Sequence, residues 1–137
     1  MHTNHDIIEP KTPVTSQTNL GLRNGIKCPY EYNLYVYGKN HFSIFVDTLK
    51  PGLRSQDPGL FELVLQVMDA IHFGAILVDD VADNSLLRKG KSAAHCLYGS
   101  SETINRAYLR ILEVIARCYK QRPSLVSYIL LALTQVF

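Results

Sequence analysis

Residues 60–81 read LFELVLQVMDAIHFGAILVDDV, and this stretch decides the fold class of the chain. Apolar side chains cover nearly every side of the helix that it would form, it contains no proline, and Gly74 is its single glycine. A helix that is apolar all round is stable in water only when other helices surround it. The stretch therefore predicts a central, buried helix over residues 60–81.

Signals along the rest of the chain predict further helices joined by turns. They predict a helix after Pro29, a turn at Gly38-Lys39, a second helix ending near Lys50, a loop at 51–59, a helix at 101–119 that Ser101 caps, and another at 124–137. No stretch shows the alternation of a β-strand. The fold class predicted is therefore all-α, a helical bundle.

Length and composition exclude several classes of protein. With 137 residues the chain forms one domain, and 14 basic against 12 acidic residues give no case for a nucleic-acid partner. Residues 1–27 are rich in Thr, Asn, Pro and Gly and predict a flexible N-terminal arm, which leaves 28–137 as the helical domain. Three cysteines without a CxxC pair, no signal peptide and no uninterrupted apolar stretch approaching about 18 residues predict a cytoplasmic protein without a membrane span.

A charged stretch follows the apolar one, and residues 79–91 read DDVADNSLLRKGK. At 3.6 residues per turn, His72, Asp79 and Asp83 fall within about 20° of one line along the helix, and Asp80 is one residue round from Asp79 and is expected to share its cavity. Carboxylates at the end of a buried helix need a cation, because a desolvated anion is costly without a partner. Mg²⁺ accepts one or two carboxylates and fills its other positions with water and phosphate oxygens.

Two basic residues after the carboxylates suit the same ligand. Arg88 can bind phosphate oxygens with two donors, and Lys89 can act as a point charge. Taken singly, the aspartates predict only a solvated acidic turn and the basic run only a solvated loop. Their conjunction after so apolar a helix favours a site for Mg²⁺ and a diphosphate.

Residues 71–105 carry a resemblance to a known family. They read IHFGAILVDDVADNSLLRKGKSAAHCLYGSSETIN, which resembles the first aspartate-rich segment of trans-isoprenyl diphosphate synthases, most closely the fungal geranylgeranyl diphosphate synthase type. The resemblance covers roughly residues 28–137 and corresponds to the N-terminal half of such an enzyme. It implies the helical bundle of the isoprenoid synthases, here apparently truncated.

The resemblance also implies residue roles and a reaction. Asp79, Asp80 and Asp83 match the aspartates that hold Mg²⁺ on the allylic diphosphate, and Arg88 matches an arginine that binds the same diphosphate. The positions that match the site of the partner substrate, isopentenyl diphosphate, are Lys39, His72 and Lys89. In the implied reaction, the metal and the cations stabilise the departing diphosphate, and the double bond of isopentenyl diphosphate attacks the allylic carbocation.

The chain departs from the family pattern in three places. Phe42 stands where the family has an arginine that contacts isopentenyl diphosphate, so that substrate is expected to bind weakly unless His41 reaches it. Lys89 replaces the second arginine of a pair. It keeps the positive charge but lacks the planar guanidinium that binds phosphate oxygens bidentately. The family's second aspartate-rich motif would lie beyond Phe137, so the chain alone is expected to hold half a site.

Product length depends on the side chains near the aspartates. Gly74 and Ala75 are small, and Ile111 and Leu112 stand where the fungal type tends to place aromatic residues. These residues predict a product at least as long as geranylgeranyl diphosphate. The alternative is that the small residues only permit close helix packing.

Three functions remain open at this point. The first is a Mg²⁺-dependent prenyltransferase that makes geranylgeranyl diphosphate for terpenoid biosynthesis, expected to be a homodimer or to dock on a related synthase because the family is generally dimeric. The second is a truncated, non-catalytic paralogue or partner subunit of a prenyl synthase. The third is a class I terpene cyclase, which Lys39, His72 and Lys89 disfavour because cyclases need no site for isopentenyl diphosphate.

Overall fold

The computed structural model describes residues 25–38 and 41–137. Along this part of the chain lie the helices and strands α1 (Pro29–Tyr37), α2 (Ser43–Leu49), α3 (Leu53–Gln56), α4 (Pro58–Ala82), β1 (Leu87–Arg88), β2 (Lys91–Ser92), α5 (Ala94–Tyr98), α6 (Ser100–Gln121), a 3₁₀ turn (Pro123–Leu125) and α7 (Val126–Val136). The prediction of an all-α bundle is confirmed.

The central helix α4 begins two residues earlier than the sequence predicted. Asp57 caps it by accepting a hydrogen bond from the backbone N–H of Leu60 at 3.1 Å, and Pro58 occupies the first turn. Arg122 at the far end of α6 donates to the same carboxylate at 2.8 Å. The Leu60 hydrogen bond first, and the Arg122 guanidinium after it, lower the pKa of Asp57. The loop predicted for residues 51–59 is therefore wrong over much of its length, since α3 and the start of α4 occupy it.

Helix α4 packs mainly against α6, and α1 lies across both. Phe73 and Leu77 on α4 are fully buried against Ala107 of α6 and Tyr30 of α1. Two smaller clusters extend this core along α4, one with α2 around Val46, Phe61 and Leu65, and one with α7 around Leu63, Cys118 and Ile129. By length and composition alone α4 could cross a membrane. Its contacts make it the core helix of this bundle.

Gly74 allows α4 and α6 to approach each other closely. A Cβ atom at this position would lie 2.9 Å from Cδ1 and 3.3 Å from Cγ1 of Ile111. Both residues are buried. For Gly74 the structure thus supports the alternative that the small residue permits close helix packing. It does not support a place for Gly74 along the path of a growing product.

Gly74→Leu is expected to lower the free energy of unfolding by about 1–3 kcal/mol, because the larger side chain overlaps Ile111 in a packed interface. Urea unfolding measures the change. The double variant Gly74→Leu/Ile111→Ala should cost less than the sum of the two single variants, since the truncation opens room for the leucine. Strictly additive costs would contradict the contact.

A short β-hairpin follows α4 where the sequence predicted only loop and turns. Strands β1 and β2 pair antiparallel, with Leu87 opposite Ser92 and Arg88 opposite Lys91. The connecting Lys89 and Gly90 both have positive φ, 48° and 74°, as a type I′ turn requires. The prediction of no strand is wrong here because two-residue strands leave no periodic pattern to read.

The predicted cap of α6 is also wrong. The helix begins at Ser100, and Gly99 (φ 84°) joins it directly to α5, so Ser101 lies inside the first turn. Residues 1–24 of the arm predicted for residues 1–27 lie outside the described part of the chain. Cys28, Cys96 and Cys118 are all free.

Candidate diphosphate and metal site

The three aspartates at the end of α4 have different surroundings. Asp79 is 68% exposed. Asp83 is exposed as well and follows the last helical residue, where its carboxylate accepts hydrogen bonds from the backbone N–H of Ser85 at 3.1 Å and from its hydroxyl at 2.6 Å. The Ser85 hydroxyl bond is the main reason that the pKa of Asp83 is lowered. Two exposed carboxylates therefore end this helix on the solvent side.

Asp80 points into the protein instead. Its side chain is 1% exposed, and its Oδ1 accepts from Nε of Arg88 at 2.7 Å and also contacts Nη2. Hydrogen bonding to Asp80 is the first cause of the raised pKa of Arg88. The expectation that Asp80 shares one cavity with Asp79 is therefore not met, because burial on the inner side of α4 gives it Arg88 as its own cation.

Arg88 also lies near the exposed carboxylate. Its Nη2 is 3.7 Å from Oδ2 of Asp79. The β-hairpin that carries Arg88 is held by α1, since the Tyr32 hydroxyl donates to the carbonyl of Ser92 at 2.8 Å. The preceding loop is held by buried His95, whose Nε2 is 2.6 Å from the carbonyl of Ser85. These contacts place a guanidinium beside Asp79.

A second group of side chains surrounds Tyr37 at the end of α1; we call Tyr37, His41, Phe42, His72 and Phe73 the Tyr37 cluster. The imidazoles of His41 and His72 stack with centroids 5.4 Å apart and an interplanar angle of 13°. The Phe42 ring meets His72 edge-on at 5.2 Å. Lys89 completes the group from the hairpin, with Nζ 4.9 Å from the centre of the Tyr37 ring.

The Tyr37 cluster changes the titration of His72. Burial first, and the charge of His41 second, lower its pKa from the ordinary 6.5. Between that value and the lower pKa of the folded state, the unfolded chain binds more protons at this position than the folded one. The free energy of unfolding therefore rises with pH through this window.

We expect the wild-type chain to lose stability as the pH falls below 6.5, because protonation of His72 is easier in the unfolded state. Urea unfolding between pH 5 and 8 measures the slope. His72→Phe should show a smaller decline on acidification, since it keeps a ring in the cluster without a titratable group. Identical slopes for the two proteins would show that His72 contributes nothing to it.

The donor set fits Mg²⁺ held jointly with a phosphate ligand. Asp79 and Asp83 offer exposed oxygen donors one helical turn apart, and Mg²⁺ needs only one or two carboxylates when phosphate oxygens and water complete its shell. Among residues 25–38 and 41–137, no three His, Cys, Asp or Glu side chains converge on one point. A site made by protein ligands alone, as for structural zinc, does not form in this part of the chain.

The structure brings together most of the residues that the sequence singled out, in two groups. Asp79 and Arg88 form one, with Asp83 at the same helix end, and His72 and Lys89 meet at Tyr37 in the other. Lys39 lies outside the described residues. Sequence reasoning missed Tyr37, although the tyrosine-rich run EYNLYVY before Gly38 was a signal that this face of α1 packs against something.

This all-α bundle, with a buried helix that ends in aspartates opposite an arginine- and lysine-bearing hairpin, is a prenyl synthase architecture. The chain belongs to the polyprenyl synthetase family, whose model matches residues 23–136.

Its relatives include fungal prenyltransferases. Prenyltransferase terC of Tolypocladium album is 48% identical over 109 residues, which are 80% of this chain and 32% of that protein. Prenyl transferase paxC of Penicillium paxilli is 41% identical over 126 residues, 92% of this chain and 40% of that protein. Prenyltransferase ltmC of Epichloe festucae var. lolii is 46% identical over 121 residues, 87% of this chain and 35% of that protein. The chain thus spans 32–40% of the length of these relatives. No solved structure matches it significantly.

Proposed function

We propose that these residues serve a Mg²⁺-dependent prenyltransferase that condenses an allylic diphosphate with isopentenyl diphosphate to give geranylgeranyl diphosphate for terpenoid biosynthesis. The observation that carries the proposal is the pair of polar groups at one end of the bundle. Exposed Asp79 lies 3.7 Å from Arg88, and Lys89 and His72 meet at the neighbouring Tyr37.

Each group has a role in this proposal. Asp79 and Asp83 hold Mg²⁺, which when bound supplies charge neutralisation for the departing diphosphate. Arg88, kept in place by Asp80, presents its guanidinium edge beside Asp79 and stabilises negative charge on the allylic diphosphate. Lys89 and His72 bind and orient isopentenyl diphosphate.

A second candidate function is that of a non-catalytic partner subunit of a prenyl synthase. It is favoured by apolar side chains that remain exposed on α6 and α7, among them Leu112, Tyr119, Tyr128 and Leu131. A surface of this kind marks a place where another protein segment binds. Phe42, in place of a substrate-binding arginine, points the same way.

Product analysis of a chimera separates the two candidates. Residues 28–137 of this chain would replace the matching segment of Penicillium paxilli paxC, and the purified chimera would receive Mg²⁺, farnesyl diphosphate and isopentenyl diphosphate. We expect geranylgeranyl diphosphate from the chimera and none from its Asp79→Ala variant. A folded chimera without any condensation product would contradict the enzymatic role and favour the partner subunit.

Ala75→Phe in the same chimera tests the product length. Ala75 is half-buried one turn before Asp79, unlike Gly74, which faces Ile111. The phenyl ring is expected to shorten the product. An unchanged product distribution would show that Ala75 does not line the path of the growing chain.

A further inference from the structure

The inference starts from a hydroxyl that lies outside the proposed substrate groups. Tyr32 on α1 is 6% exposed, and its ring belongs to the core cluster around Phe73 and Leu77. The hydroxyl points out of this cluster and donates to the carbonyl of Ser92 on β2 at 2.8 Å, across 60 positions of sequence. Burial is the main reason that the pKa of Tyr32 is raised above its ordinary 10, so the hydroxyl keeps its proton near neutral pH. A core helix thus holds one strand of the hairpin through a buried tyrosine.

The hairpin that carries Arg88 has little stability of its own. Each of its strands has two residues, and an isolated pair of strands is marginally stable at best in water. Lys89 in the turn has φ 48°, which lowers the stability further. Contacts with the rest of the bundle therefore determine where the hairpin lies.

These contacts lie on both strands. On β1 Arg88 binds Asp80 of α4, and on β2 the carbonyl of Ser92 accepts from Tyr32 of α1. The strand register joins the two points, because Arg88 pairs with Lys91, the residue before Ser92. A displacement of β2 from α1 would therefore move the backbone of Arg88 as well.

Two cation–π contacts also join the hairpin to α1, but each has an exposed member. Nζ of Lys91 lies 4.5 Å from the centre of the Tyr35 ring, which is 44% exposed. Nζ of Lys89, an exposed residue, lies 4.9 Å from the centre of the Tyr37 ring. Cation–π contacts are weaker where water reaches them. The hydrogen bond of buried Tyr32 is the contact with α1 that water competes with least.

The exact place of Arg88 matters for the proposed diphosphate site. Its Nε and Nη2 both contact Oδ1 of buried Asp80, while Nη2 is also 3.7 Å from Oδ2 of exposed Asp79. The second distance is near the outer limit of an ion pair. A long side chain can keep its contact with Asp80 when its backbone shifts, but the guanidinium then leaves Asp79. The charge beside Asp79 therefore depends on where β1 is held.

We propose that Tyr32 is a positioning residue for the allylic diphosphate. Its hydroxyl holds β2, and through the strand pair it keeps Arg88 where one guanidinium meets both Asp79 and Asp80. Tyr32 acts without touching the substrate. The inference rests on the proposed function and adds to it a residue outside the family motif.

Calorimetric titration of the 137-residue chain with a non-reactive farnesyl diphosphate analogue in Mg²⁺ tests the inference. Tyr32→Phe keeps the ring in the core and removes only the hydroxyl. We expect it to weaken binding of the analogue by roughly three- to tenfold, the size of one net hydrogen bond.

Tyr98→Phe is the matched control. The Tyr98 ring lies 6.0 Å from the Tyr32 ring in the same cluster, but its hydroxyl donates to the carbonyl of Ile26, before α1, at 3.5 Å. This variant should keep the wild-type affinity for the analogue. Urea unfolding checks that each variant is folded.

A double-mutant cycle separates positioning of Arg88 from a general loosening of the core. Arg88→Lys keeps a cation beside Asp80 but lacks the planar guanidinium. In that background Tyr32→Phe should cost little further affinity, because no guanidinium remains to be oriented. A loosened core would instead lower the affinity by the same factor in both backgrounds.

Three outcomes would overturn the role of Tyr32 while the proposed function stands: wild-type affinity in Tyr32→Phe, an equal loss in Tyr98→Phe, or independent effects of Tyr32→Phe and Arg88→Lys. If the wild-type chain showed no Mg²⁺-dependent binding of the analogue, the proposed metal and diphosphate site would be contradicted, and the inference with it.

Discussion

Replacing Arg88 by alanine is expected to lower the free energy of unfolding by about 3 kcal/mol, because it leaves the Asp80 carboxylate buried without its cation. The figure is the lower end of the usual cost, since Arg88 itself remains 31% exposed and water reaches part of the pair. Asp80→Ala should cost less, because the freed guanidinium can extend into solvent. Urea unfolding of both variants measures the asymmetry.

Two controls make this prediction specific. Arg106→Ala breaks the ion pair between Arg106 and Glu102, whose side chains are 46% and 45% exposed, and should leave the free energy of unfolding almost unchanged. The double variant Asp80→Leu/Arg88→Met should regain most of the loss, since an apolar pair of similar volume leaves no buried charge. If Arg88→Ala cost no more than Arg106→Ala, Asp80 would not depend on Arg88.

The second large effect concerns magnesium. Binding of a non-reactive farnesyl diphosphate analogue, measured by calorimetry, should require Mg²⁺ or Mn²⁺. The affinity should fall more than roughly a hundredfold in Asp79→Ala/Asp83→Ala, because loss of even an outer-shell partner of a metal lowers metal affinity ten- to a hundredfold. Carboxylate oxygens suit both of these cations. Both carboxylates are exposed and therefore accessible to an ion that arrives with the diphosphate.

Asp80→Asn is the matched control among the three aspartates. It keeps the shape and one acceptor for Arg88 while it removes the buried charge. We expect it to weaken binding of the analogue less than the double variant does, because Asp80 faces Arg88 and not the solvent side. Equal Mg²⁺-dependent binding by the wild type and Asp79→Ala/Asp83→Ala would refute the assignment of the metal to these residues.

The central helix could be predicted from sequence because its apolar composition left a single reasonable environment for it. Its start was placed two residues late because Asp57 and Pro58 were read as loop residues, although they form an N-cap and a first turn. The hairpin at 87–92 could not be predicted, since its turn depends on a lysine at positive φ, which few sequence patterns indicate.

The residue types of the candidate site could be predicted from the sequence, but which aspartate pairs with Arg88 could not. Helical spacing placed the aspartates at one end of α4, yet a 100° step per residue cannot tell which of two neighbouring carboxylates turns inward. That choice depends on Arg88, which the hairpin carries back over α4. The stack of His41 on His72 was equally hidden, because it brings together two rings 31 positions apart in the sequence, each of which also meets Tyr37.

The turn at Lys89-Gly90 lowers the stability of the hairpin while it places a positive charge beside Tyr37. A side chain at φ 48° costs free energy that asparagine or glycine would largely avoid, and those residues dominate such turns. Lysine at this position therefore makes the hairpin less stable than it could be, whether or not a substrate is bound. A sequence selected only for thermal resistance would replace it, and would lose the ammonium group above Tyr37.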